Sequence, residues 1–195
     1  MNSDLPKPLS RRSAILLALL TCFAVPALAE TKSVPRTLGP VTMQVVAFQS
    51  MERDGTIYVY NDERLLFRTL GNGTAERFEI SVGRDGFLWT GVTYVGRKVE
   101  WPEWRPPAAM RLRDPSLPSF VPSGPYNPLG ARALYLYSSN ADTLYRIHGT
   151  NSAETVGGFE TSGCFRLTNS DVINLFKLVP IGTKVIVQKT MVVGS

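Results

Sequence analysis

Only one stretch of the chain carries a sustained helical period. In TNSDVINLFKLVP (168–180) the residues Val172, Leu175, Phe176 and Val179 recur at i, i+3, i+4 and i+7. Thr168, Asn169 and Ser170 offer an N-cap and Asp171 suits the first turn. Pro180 and Gly182 stop it. Elsewhere from Val41 onward the apolar residues come in short β-branched and aromatic runs: TIYVY (56–60), RLLFRTL (64–70), RFEISV (77–82), VTYVGRKVE (92–100), ARALYLYS (131–138), TLYRIHG (143–149) and TKVIVQ (183–188). Asn61-Asp62, Gly71-Asn72-Gly73 and GRDGF (83–87) punctuate them as turns. The pattern predicts a mostly β domain, a sandwich or barrel, with one main helix laid against it.

One segment breaks this texture. Residues 101–130 hold eight prolines and read as a long irregular insertion. Trp101, Trp104, Phe120 and Tyr126 argue against disorder. A loop of this length in a compact domain packs on its own aromatics, serves function, or does both. We expect it to flank the functional cleft, with Trp101 or Trp104 near the substrate path.

The N-terminus has export character. Arg11 and Arg12 precede the apolar run AILLALLTCFAV (14–25), and Ala27 and Ala29 frame an A-x-A cleavage site. The run is short for a membrane span, which takes ~20 apolar residues. The expectation is therefore a signal peptide over 1–29, of twin-arginine or general type. A linker and N-terminal segment follow over 30–48, then a catalytic domain over 49–190 and a tail over 191–195. Cleavage would remove Lys7, Arg11, Arg12 and Asp4, so the net charge falls from +5 to +3. That mild basicity selects no partner, and no basic aromatic patch suggests nucleic acid.

Cleavage would also remove Cys22 and leave Cys164 alone. A leftover thiol in an exported protein is a reactive group, an intermolecular partner, or a small buried hydrophobe. His148 is the only histidine. It ends a strand-like run, and Cys164 follows 16 residues later, just before the helix. A thiol is a weak nucleophile at neutral pH, and a nearby imidazole can take its proton to leave a thiolate–imidazolium pair. Gly157, Gly158 and Gly163 give the intervening chain freedom to bring the two together. Gly163 is also expected to leave open space beside the sulfur. Amides around Gly163 and Cys164 suit a developing oxyanion. Arg166 lies two residues on, on the same face of an extended segment, where a guanidinium grips a carboxylate or simply meets solvent. One histidine and one cysteine exclude the usual zinc sets, so no metal and no cofactor is expected. Any serine triad would need His148 itself as its base. A cysteine–histidine acyl-transfer pair remains, beside the alternative of a core histidine and a core cysteine.

The segments IHGT and TSGCFRL, followed by the N, D, V, I pattern of the helix and GTKVIV, resemble the signature of the L,D-transpeptidase (YkuD-type) catalytic domain family. SVGRDGF, VGRKVEWPEW and NPLGARALYLY are similar to a Gram-negative envelope branch of it. The resemblance covers about residues 50–188. It implies an exported β-rich enzyme of the peptidoglycan layer, located in the periplasm. A cysteine attacks the L-to-D bond of a stem peptide, D-alanine leaves, and the thioester passes to an amine of another stem or of an envelope protein. It implies Cys164 as nucleophile, His148 as base, and the Gly149 carbonyl as the group orienting the imidazole. Gly163 and Cys164 amides match the oxyanion donors, and Arg166 a substrate or loop-positioning contact. Many members carry a histidine where this chain has Ser162, which leaves ancillary substrate contacts open. No separate wall-binding module is visible, so targeting is expected from the domain itself. Alternatives are a wall hydrolase of the same fold or a non-catalytic peptidoglycan-binding protein. Papain-like hydrolases have the reverse Cys-before-His order, and sortases place their histidine much farther upstream.

Overall fold

The structure is a computed structural model and describes residues 38–191. The expected signal peptide lies outside the described residues. The strands are β1 (Gln44–Ala47), β2 (Ile57–Tyr60), β3 (Leu65–Gly71), β4 (Thr74–Glu79), β5 (Val82–Gly83), β6 (Gly91–Glu100), β7 (Arg132–Ser138), β8 (Ala141–His148), β9 (Phe159–Thr161), β10 (Phe165–Arg166) and β11 (Lys184–Gln188). The helices are α1 (Ala108–Arg113) and α2 (Asn169–Leu178).

Nine strands form one sheet in the order β1-β4-β3-β2-β11-β6-β7-β8-β10. Neighbours are antiparallel except β2 with β11 and β8 with β10, which are parallel. One continuous core takes Ile57, Leu66 and Phe78 from one end of the sheet and Leu134, Ile147 and Phe165 from the other. The sheet therefore curls around a shared interior, as the sandwich or barrel expectation requires. Alternation places these residues inward while Tyr60, Phe67 and Ala75 form a smaller cluster with Phe48 and Tyr58.

The helix α2 lies where its period places it. Val172, Leu175 and Val179 are fully buried in the core. Thr168 is the N-cap, its hydroxyl accepting from the Asp171 amide at 3.1 Å. The expected turn at Gly71-Asn72-Gly73 has all three residues at positive φ. The β7–β8 hairpin turns on Ser139 and Asn140, also both at positive φ, the demand of a two-residue primed turn.

Three local departures matter. The run RFEISV is not one strand: β4 ends at Glu79, and Ser81 turns to bridge Arg166 while β5 pairs with β9. Residues before 49 supply β1, which pairs with β4 at the sheet edge. The proline-rich insertion is not wholly irregular, because α1 opens directly after Pro107, and Trp104 pairs with Val121. Proline suits a helix start, since its missing N–H would go unused there.

Candidate active site

The sheet brings the unique histidine and the thiol to one edge. His148 ends β8, with Ala133 of β7 on one side and Arg166 of β10 on the other. Cys164 immediately precedes β10, two residues before Arg166, the residue that pairs with His148.

The imidazole is held by its own chain. His148 is 6% exposed, and its Nδ1 lies 2.6 Å from the Gly149 carbonyl oxygen. A carbonyl only accepts, so Nδ1 carries the proton and Nε2 presents a lone pair. The Gly149–Thr150 turn is fixed in its turn by buried Asn169, at the start of α2. The Asn169 Oδ1 accepts from the amides of Ala131 (2.8 Å) and Thr150 (3.2 Å), and its Nδ2 donates to the Thr150 carbonyl at 2.7 Å. A Cβ on Gly149 would come within 2.2 Å of that Oδ1, so the close approach requires glycine. Burial lowers the His148 pKa to about 4; the Gly149 bond opposes this, and the Arg166 and Arg146 charges add to it.

The thiol is half-buried and free. Its sulfur lies 3.8 Å from the Leu144 carbonyl and accepts from the Arg146 amide. The Leu144 carbonyl reaches it because β8 bulges there. Leu144 has φ +64°, and β8 slips against β7 between Tyr135 and Tyr137. Burial pushes the thiol pKa up; the Arg146 amide and charge pull it down, and Asp142 adds to the rise. Both shifts are toward the neutral forms.

The peptide groups beside Cys164 are also held. Gly163 has φ +104°. Its carbonyl accepts from the Trp89 indole Nε1 at 2.8 Å, and its amide donates to Thr161 Oγ1 at 3.1 Å. The Thr161 hydroxyl donates to the Cys164 carbonyl at 2.6 Å. Of the two expected oxyanion donors, the Gly163 amide is thus engaged within the loop. The Cys164 amide has no acceptor among the described residues. The space beside Gly163 is not open either: a Cβ there would meet Tyr145 Cε1 at 2.5 Å.

Cys164 and Ser162 line a cleft of about 780 Å³ together with Leu144, Arg146, Trp101 and Trp104. The insertion therefore flanks the thiol. Its neck is closed by the Trp101 amide donating to Ala131 O at 2.8 Å, and Arg113 of α1 lies 4.7 Å over the Phe87 ring. Arg166 is not among the side chains lining this cleft. Its guanidinium turns inward, donating to Thr155 O at 3.0 Å and reaching Ser81 Oγ at 3.4 Å. Of its two expected roles, this geometry is that of a loop contact. Sequence reasoning missed Trp89, Thr161, Tyr145 and Arg146. The signals present were a tryptophan inside a glycine-punctuated loop and a threonine three residues before the cysteine.

A curled β sheet with a histidine, a thiol and a helix N-terminus at one edge defines a fold and site class, and the comparisons agree with it. Residues 54–187 match the model of the L,D-transpeptidase catalytic domain (YkuD), and the chain belongs to that family. The probable L,D-transpeptidase ErfK/SrfK of Escherichia coli is 40% identical over 141 residues, which cover 68% of this chain and 43% of that protein. The matched region thus spans less than half the length of this relative. A solved Brucella melitensis protein, described as a probable carnitine operon oxidoreductase, is 39% identical. The match covers 75% of this chain and 92% of that one, with TM-score 0.51. Its name stands at odds with the family model, which matches through the histidine and cysteine segments themselves. An Enterococcus faecium L,D-transpeptidase shares the fold with TM-score 0.54 at 19% identity, over 70% of this chain and 50% of that one.

Proposed function

We propose that this protein is a cysteine acyltransferase, an L,D-transpeptidase of peptidoglycan stem peptides, with Cys164 as nucleophile and His148 as base. The observation that carries the reading is the fixed imidazole. Its Nδ1 proton is committed to Gly149 O at 2.6 Å, so Nε2 is the nitrogen left to accept a proton. In acylation the Cys164 sulfur attacks the carbonyl carbon at the L-to-D bond as its proton passes to Nε2. The oxyanion develops against the Cys164 amide. The Gly149 carbonyl holds the imidazolium through a charge-assisted bond. Collapse breaks the C–N bond, the imidazolium returns the proton to the departing D-alanine amine, and a thioester remains. An acceptor amine then attacks the thioester, loses a proton to His148, and releases the thiol.

With both groups shifted toward their neutral forms, proton transfer accompanies attack in this reading. Trp101 and Trp104 shape the path of the donor stem, Ser162 lies on the cleft wall, and Arg166 positions the loop between His148 and Cys164. The acceptor is an amine of a second stem or of an envelope protein, and the enzyme works in the periplasm after export by a cleaved signal. The test is incubation of the full chain with purified tetrapeptide muropeptides and mass analysis. Released D-alanine and cross-linked product support the reading. Binding without any product supports the non-catalytic alternative, and a product of water attack supports the hydrolase.

A further inference from the structure

We propose that Trp89 and Thr161 are positioning residues for acyl transfer: they fix the two peptide groups flanking Cys164 and aim its amide as the oxyanion donor. The inference rests on the reading of Cys164 as nucleophile. A trans peptide is planar, with its C=O and the following N–H pointing opposite ways. The Gly163 carbonyl and the Cys164 amide belong to one such plane. Trp89 Nε1 holds that carbonyl at 2.8 Å and thereby sets the direction of the Cys164 N–H. The next plane is held through the Cys164 carbonyl, which accepts from Thr161 Oγ1 at 2.6 Å. A hydroxyl has one proton and two lone pairs. Thr161 gives its proton to Cys164 O and uses a lone pair for the Gly163 amide.

Trp89 is itself rigidly placed. Its ring stacks on Tyr145 at 4.4 Å and 10°, and lies tilted 5.4 Å from Phe165. Tyr145 is the side chain that closes the space beside Gly163. The Trp89 carbonyl accepts from Asn61 Nδ2 at 2.8 Å, and Asn61 is buried and donates its amide to Gln188 of β11. The frame around the cysteine is thus anchored to the centre of the sheet.

The test separates acylation from alkylation. Acylation passes through a tetrahedral oxyanion, whereas displacement by iodoacetamide does not. In Trp89→Phe, which keeps an aromatic ring but loses the N–H, kcat for D-alanine release should fall about ten- to a hundred-fold, somewhat less than the loss of a whole oxyanion donor. KM and the rate of Cys164 alkylation should not change. Thr161→Val should show the same selective loss, and decides the matter alone if Trp89→Phe does not fold. Equal losses of acylation and alkylation in the folded variants, or no loss of acylation, would overturn the proposal. Failure of the underlying reading looks different: the wild-type chain releases no D-alanine, or Cys164→Ser still releases it.

Discussion

His148 donates its Nδ1 proton to the carbonyl of the very next residue, Gly149, at 2.6 Å. The bond is short-range in sequence, yet it depends on Asn169, which grips the Gly149–Thr150 turn from α2. The bond orients the imidazole, and burial, against the pull of that bond, lowers its pKa to about 4.

That value fixes the sign of one pH effect. The ordinary histidine value is 6.5. Between pH 6.5 and 4 the unfolded chain takes up a proton that the folded one resists, so stability is full above this window and is lost as pH falls through it. The full loss is on the order of 3 kcal/mol. His148→Gln removes the titration, and its melting temperature should fall less than that of the wild type between about pH 7 and about pH 4.5. Parallel melting curves against pH would remove His148 as an acid-labile group.

The thiol gives a second pH profile. Burial holds Cys164 above its ordinary range, so the thiolate is scarce at neutral pH. The alkylation rate of Cys164 should climb about ten-fold per pH unit from neutral to alkaline conditions. A rate already at its plateau near neutrality would show a preformed ion pair instead.

The parts of this molecule visible in its sequence are those that depend on neighbours. The period of Val172, Leu175 and Val179 places α2, and the uniqueness of His148 and Cys164 singles out the pair. What stays hidden depends on pairing between distant segments. Trp89 meets Gly163 across 74 residues. The bulge that aims the Leu144 carbonyl at the sulfur follows from the β7–β8 register. The alternation rule places Arg166 on the right face, but its long side chain runs back to Thr155 rather than into the cleft. Asn169 is legible only as a cap candidate, because its role comes from the close approach that Gly130 and Gly149 permit.

Arg166 gives a third prediction. Its guanidinium bridges Thr155 and Ser81, and its Nε is buried without a partner among the described residues. Lysine keeps the charge and loses the planar fork. Arg166→Lys should lower stability by about 1–3 kcal/mol and reduce kcat through a loosened loop, with KM little changed. An unchanged melting temperature with a raised KM would make Arg166 a substrate contact instead.

Trp101 tests the cleft. It is 41% exposed and lines the same space as Cys164. Trp101→Ala should raise KM for a tetrapeptide stem while shifting the melting temperature only slightly. An unchanged KM would take the insertion out of the substrate path.

The nucleophile is tested most directly by Cys164→Ser beside the wild type, each incubated with tetrapeptide muropeptides and followed by intact mass and D-alanine release. Hydroxyl and thiol are close in size and far apart in acidity, so the variant should fold as the wild type does. The wild type should gain the acyl mass on the peptide containing Cys164 and release D-alanine, and Cys164→Ser should do neither. Release of D-alanine by the folded serine variant at near wild-type rate would contradict the assignment of Cys164 as the nucleophile.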